Sequence, residues 1–141
     1  MLGRVIRRLM MFAACCAIAL PLGCFSSDNR RVTLETGTRF AQALTEHRYP
    51  DAHALLTVKQ QKIWNPDKLA RQYEEMTSYG SEPAKVDGHS EFLDSWPDRQ
   101  PEDRGWAYIS ISGSDFAEAV TVIVSDEGGI PKIRHLEWGR P

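Results

Sequence analysis

The spacing of apolar residues changes once along this chain, at Gly80. Before it, apolar positions recur at the period of about 3.6 residues that marks amphipathic helices; after it they alternate, as in strands. In "VTLETGTRFAQALTEHRYP" Phe40 and Leu44 lie four apart, with Ala41, Ala43 and His47 in an adjoining stripe. This predicts a helix stopped before Pro50, with Gly37 weakening its first turn. "DAHALLT" predicts a short second helix, with Asp51 suited to its N-terminal dipole. Thr57 can cap a turn through "VKQQKIW". The clearest helix is "NPDKLARQYEEMTSYG": Asn65 is an N-cap, Pro66 fits the first helical position, and Gly80 is a stop. Leu69, Tyr73 and Met76 share one of its faces. Asp67, Arg71 and Glu75 recur on another as candidate solvent-side pairs.

Beyond Gly80, "AKVDGHSEFLD" predicts a strand and "SWPDRQPEDRG" a charged loop. "WAYISIS" puts Ala107, Ile109 and Ile111 on one face and Trp106 and Tyr108 on the other. After the turn Ser112-Gly113-Ser114-Asp115, "FAEAVTVIVS" sets Phe116, Val120, Val122 and Val124 against Ala117, Ala119, Thr121 and Ile123. Asp126-Glu127-Gly128-Gly129 predicts a second hairpin turn, and "IPKIRHLEW" a last strand with Pro131 at an edge or start. Helices first and tightly turned strands second give the α+β class, with N-terminal helices packed on a curved antiparallel sheet.

The N-terminus follows neither pattern. Arg4, Arg7 and Arg8 precede a mostly apolar run, Leu9 to Leu22, and no acidic residue occurs before Asp28. The run is shorter than the roughly 20 residues a membrane span needs and has the plan of a secretory signal. At Cys24 the text turns polar, "FSSDNRR". Pro21-Leu22-Gly23-Cys24 resembles the lipobox of bacterial lipoproteins, with Pro21 departing from the usual pattern. The resemblance implies cleavage between Gly23 and Cys24, acylation of Cys24, and a lipid-anchored protein of the cell envelope. Phe25 rather than Asp after that cysteine favours the outer membrane over the inner in a two-membrane cell. The chain then divides into a signal peptide at 1–23, a polar tether at 24–31 and a domain at 32–141.

That division changes the composition. Of Cys15, Cys16 and Cys24, the first two leave with the signal, so no pair remains for an internal disulfide, a thiol site or a Cys-ligated zinc. Removing 23 of the 141 residues leaves 118, the size of one small domain. Without Arg4, Arg7 and Arg8 the 17 basic residues become 14 against 19 acidic, a net −5, which argues against nucleic-acid binding.

The order of elements, with "FAQALTEHRYPDAHALLT", "NPDKLARQYEEM" and a closing strand ending in Trp138, is similar to the NTF2-like (cystatin-like α+β cone) superfamily. The likeness implies a hollow between helices and sheet. Trp64, Tyr73, Trp106, Tyr108 and Trp138 are the candidate lining residues.

Catalytic chemistry is hard to assemble. His135 and Glu137 share a parity on the last strand and are read as solvent-facing, with Leu136 and Trp138 packed inward. His47 and His53 are six apart, which fits no helical ligand pair, and His89 stands alone. "GHSEF" has Phe92 where a nucleophile elbow needs glycine, so Ser90 is set aside. No catalytic residue, metal ligand or cofactor is therefore assigned. The expected function is a lipid-anchored, non-catalytic module that binds a protein partner or envelope component. The alternatives are a ligand carrier or dehydratase/isomerase-type enzyme using the cone, and a periplasmic immunity or inhibitor protein.

Overall fold

The computed structural model describes residues 23–140. The expected signal sequence up to Leu22, with Cys15 and Cys16, lies outside the described residues. Four helices precede four strands: α1 (Gly23–Thr45), α2 (Tyr49–Ala54), α3 (Val58–Ile63), α4 (Pro66–Thr77), β1 (Lys85–Leu93), β2 (Asp103–Ser112), β3 (Ala117–Glu127) and β4 (Ile130–Trp138). The strands form one antiparallel meander in the order β1-β2-β3-β4, bent by a register break in each pairing. The α+β expectation holds at that level.

Helix α1 crosses one face of the sheet and buries Phe40, Ala41, Ala43 and Leu44 against Ile109, Val120 and Val122. Gly37, expected to weaken this helix, sits where it meets the sheet. A Cβ there would come within 3.1 Å of Ile109 Cγ1 and Val122 Cγ2, so the glycine permits close approach. Residues 24–31, expected as a polar tether, are instead the first turns of α1. The physical reason is local: no Pro or Gly interrupts 24–36, and Arg31 pairs with Asp28 (2.8 Å) and Glu35 (3.1 Å) on consecutive turns. The charge ladder expected on α4, Asp67–Arg71–Glu75, forms no ion pair.

The expected caps are present. The Thr57 hydroxyl accepts from Gln60 N–H at 3.3 Å, and the Asn65 side chain accepts from Lys68 N–H at 2.9 Å. The end of α1 is a Schellman motif, with Arg48 N–H donating to Ala43 O (2.7 Å) and His47 N–H to Leu44 O (3.0 Å). His47 holds the left-handed position of this motif at φ 55.

On the sheet, Ala107, Ile109 and Ile111 face the helices, and so do Val120, Val122 and Val124. The β3–β4 turn is Gly128-Gly129, both with positive φ (61 and 80), closed by the Glu127–Ile130 pair. Three details depart from the sequence reading. Strand β2 begins at Asp103, inside the expected loop. Phe116 lies just before β3 rather than in its alternation. Strand β4 carries an extra residue at Arg134, because Ile123 pairs with His135 but Val124 with Ile133. That bulge puts Ile133 and Leu136, three apart, on the same buried face. The outer edge of β4 is partly closed by residues 55–57, where Thr57 N–H donates to Ile133 O and Ile133 N–H to Leu55 O, both at 2.9 Å.

Candidate functional site

The five aromatic residues expected to line a hollow fall into three places. Trp64 and Trp138 meet at 5.6 Å between ring centres, and Trp138 also reaches Phe40 at 6.4 Å, all on the helix side of the sheet. Lys68 Nζ lies 4.4 Å over the Trp64 ring. Tyr73 is fully buried on α4 beside His47 (5.9 Å) and Tyr49 (6.4 Å). Trp106 and Tyr108 point to the opposite face of the sheet, because they alternate with Ala107 and Ile109. The structure thus brings Trp64 and Trp138 together and keeps Trp106 and Tyr108 away from them. Gly23 and Cys24 are the first two residues of α1.

Among the described residues, no helix lies over the face carrying Trp106 and Tyr108. Register fixes two rows across it: Leu93–Trp106–Ile123–His135, and Glu91–Tyr108–Thr121–Glu137. The centre is aromatic and aliphatic, and carboxylates stand at both edges. His135 Nε2 lies 3.0 Å from Glu137 Oε1, and His89 Nε2 lies 3.8 Å from Glu91 Oε1. His135 and Glu137 are therefore on the open face, with Leu136 packed inward, as their parity requires. Farther along this face the Asp87 carboxylate accepts from Ser110 Oγ and from His89 N–H, each at 2.8 Å. Burial pushes its pKa up, but these donors outweigh burial and hold it below the usual carboxylate value.

Sequence reasoning missed a buried ion pair between Asp103 and Arg134. The Asp103 side chain is fully buried, and Arg134 spans both its oxygens, with Nε and Nη2 each at 2.5 Å. Gln100 N–H adds a third donor at 2.7 Å. These hydrogen bonds hold the guanidinium above its ordinary pKa. An acidic and a basic residue 31 positions apart give no sequence signal for such a pair.

A second missed cluster is His47, Tyr49 and Tyr73. His47 Nδ1 and Tyr49 OH are 2.8 Å apart. The Tyr73 hydroxyl is buried and meets no hydrogen-bond partner among the described residues. Burial raises its pKa well above the tyrosine range, and the Glu82 carboxylate adds to this chiefly as a nearby charge. His53 is held elsewhere, with Gln61 Nε2 donating to its carbonyl at 3.1 Å.

The described residues also form concavities. A groove of about 560 Å³ runs between α1, α2 and the start of β4, over a floor of Val32, Ala43, Leu55 and Pro131, with Arg39, Arg48 and Lys132 among its walls. A shallower cleft of about 370 Å³ adjoins Trp138 and Met76. Among the described residues no three His, Cys, Asp or Glu side chains are grouped to hold a metal ion. Among the same residues no helix is long and apolar enough to cross a membrane.

The chain matches no protein-family model and no curated protein.

Proposed function

We propose that this chain is a lipid-anchored protein of the bacterial envelope whose NTF2-like α+β domain is a non-catalytic interaction module. The observation that carries the anchor is the passage from a basic, apolar leader to polar sequence at Gly23-Cys24. Acyl chains on Cys24 would hold the protein to the membrane surface, since several such chains bind stably where one binds marginally. The outer membrane, facing the periplasm, is the favoured location.

The open sheet face supports the interaction role. Trp106 and Tyr108 are large, half-buried and stiff, the residue types that anchor protein interfaces. Glu91 and Glu137 close the Tyr108 row at opposite edges of the sheet. A complementary partner presents an extended aliphatic segment with basic residues at its ends.

The test has two readouts. The membrane-extracted protein should start at Cys24 with added acyl mass, and Cys24→Ala should move it to the soluble periplasm. A photo-cross-linker replacing Tyr108 should capture a discrete partner in cells, and one replacing Gln72 should not. Equal solubility of wild type and Cys24→Ala rules out the anchor. Cross-linking no stronger at 108 than at 72 rules out the face.

A second reading, a carrier of a small anionic molecule, is favoured by the groove beside α1. Arg39, Arg48 and Lys132 line it with Glu35 and Asp51; Arg48 is paired with Glu46 and Asp51, which leaves Arg39 as the cation the ligand would meet. Titration with short aliphatic carboxylates, compared with Arg39→Ala, separates it from the first.

A further inference from the structure

We infer that the domain rests directly on the bilayer, with the end of the sheet where α1 begins pressed into the lipid surface. This rests on the anchoring at Cys24 proposed above and adds to it an orientation and a second contact. A lipoprotein domain on a slack tether would tumble above the membrane. Here the chain has no slack. Cys24 is the second residue of a continuous helix, and the domain body grips that helix within a few residues. Arg104 reaches Asp28 at 3.6 Å, Arg30 lies over the Phe92 ring at 5.8 Å, and Gly105 admits Thr33 where a Cβ would meet its Oγ1 at 2.7 Å. From Cys24 to Asp28 is four residues, roughly 6 Å of helix rise.

The end of the domain nearest Cys24 follows from the direction of α1. The helix passes Gly105 at Thr33, Ile109 and Val122 at Gly37, and Trp138 at Phe40. It therefore begins at the sheet end formed by the last residue of β1, the first of β2, the last of β3 and the first of β4. The large apolar side chains exposed on the described surface are Val58, Ile63, Tyr79, Leu93 and Ile130. Three of them sit at this end. Leu93 (45% exposed) closes β1, Ile130 (58%) opens β4, and Val58 (56%) adjoins the β3–β4 turn through its N–H, which donates to the Glu127 carboxylate at 3.1 Å. Tyr79 is at the other end, with its hydroxyl on Glu118 and its ring edge-on to Phe116.

Charge indicates which lipid. The carboxylates at this end are mostly held: Asp28 by Arg31, Asp103 by Arg134, Asp126 by Arg104, and Glu127 at the start of α3. Asp94, Asp98 and Glu102 remain exposed on the intervening loop. Arg30 and Arg99 are exposed at the same end, over the Phe92 and Trp96 rings, so neither sign of charge dominates it. The partner is the apolar margin of a zwitterionic lipid surface, entered by side-chain tips rather than bound through phosphate.

The test uses the full, acylated protein in phosphatidylethanolamine vesicles with a minor share of phosphatidylglycerol. Nitroxide labels are placed singly through Leu93→Cys, Ile130→Cys and Tyr79→Cys. Collision with an aqueous nickel chelate should be several-fold lower at positions 93 and 130 than at 79, and insensitive to salt. Equal accessibility at all three positions, in protein whose intact mass carries acyl chains, overturns the docking and leaves the anchor standing. Protection that appears only with anionic lipid at low salt overturns the apolar contact. A mass without acyl chains overturns the anchor itself, and the docking with it, so the two failures are told apart.

Discussion

Arg134 closes on both carboxylate oxygens of Asp103 from the bulge of β4, where Asp103 begins β2. One contact thereby ties the 94–102 loop, the central sheet and an edge strand. Removing Arg134 strands a buried carboxylate, and breaking such a pair costs about 3–5 kcal/mol. Arg134→Met should lower stability by an amount near the lower end of that range, because its side chain is 19% exposed. The double change Asp103→Leu/Arg134→Met should recover much of the loss. Urea unfolding of the wild type and the two variants measures this, and a loss below about 1 kcal/mol for Arg134→Met would contradict it.

Phe116 sits between two glycines. A Cβ on Gly80 would lie 2.0 Å from its Cδ1, and one on Gly113 would lie 2.2 Å from its Cε1. Gly80→Ala should destabilise by about 1–3 kcal/mol through overpacking. In a Phe116→Ala background the same change should cost little, a non-additivity that a double-mutant cycle reads directly. Additive losses would show that the glycine serves some other purpose.

His47 occupies a left-handed position, where a non-glycine residue gives up about 1–2 kcal/mol. Its ring contacts with Tyr49 and Tyr73 and the 2.8 Å approach to Tyr49 OH offset that cost. His47→Ala keeps the strain and loses the ring, so it should destabilise more than His47→Gly, by about 1 kcal/mol. Thermal melts that place the alanine variant at or above the glycine variant would sink this account.

Asp115 makes the Phe116 turn sensitive to acid. Its carboxylate accepts from Ser81 N–H at 2.7 Å and from Ser81 Oγ at 2.9 Å, which lowers its pKa from 3.8. A depressed carboxyl stabilises the fold above its unfolded pKa, and that contribution disappears as pH falls from about 3.8 through the lower folded value. Asp115→Asn should therefore narrow its stability gap to wild type as pH drops through that window. A constant gap from neutral pH to below that window would exclude the linkage.

Sequence by itself determined the features set by near neighbours. The switch of apolar period at Gly80 separated helices from strands. Asn65-Pro66 fixed the start of α4, and Gly128-Gly129 fixed a tight turn, because capping and positive φ are local demands. The parity of His135 and Glu137 placed them on the open face for the same reason. The tertiary structure decided what depends on distant partners. It fixed where the first turns of α1 lie, with Asp28 meeting Arg104 of β2. It started β2 at Asp103, because Arg134 holds that residue from another strand. It also divided the aromatics between two faces of the sheet and left Trp106 and Tyr108 open. Local pattern gives each residue a side of its own strand, but only packing brings the sides together.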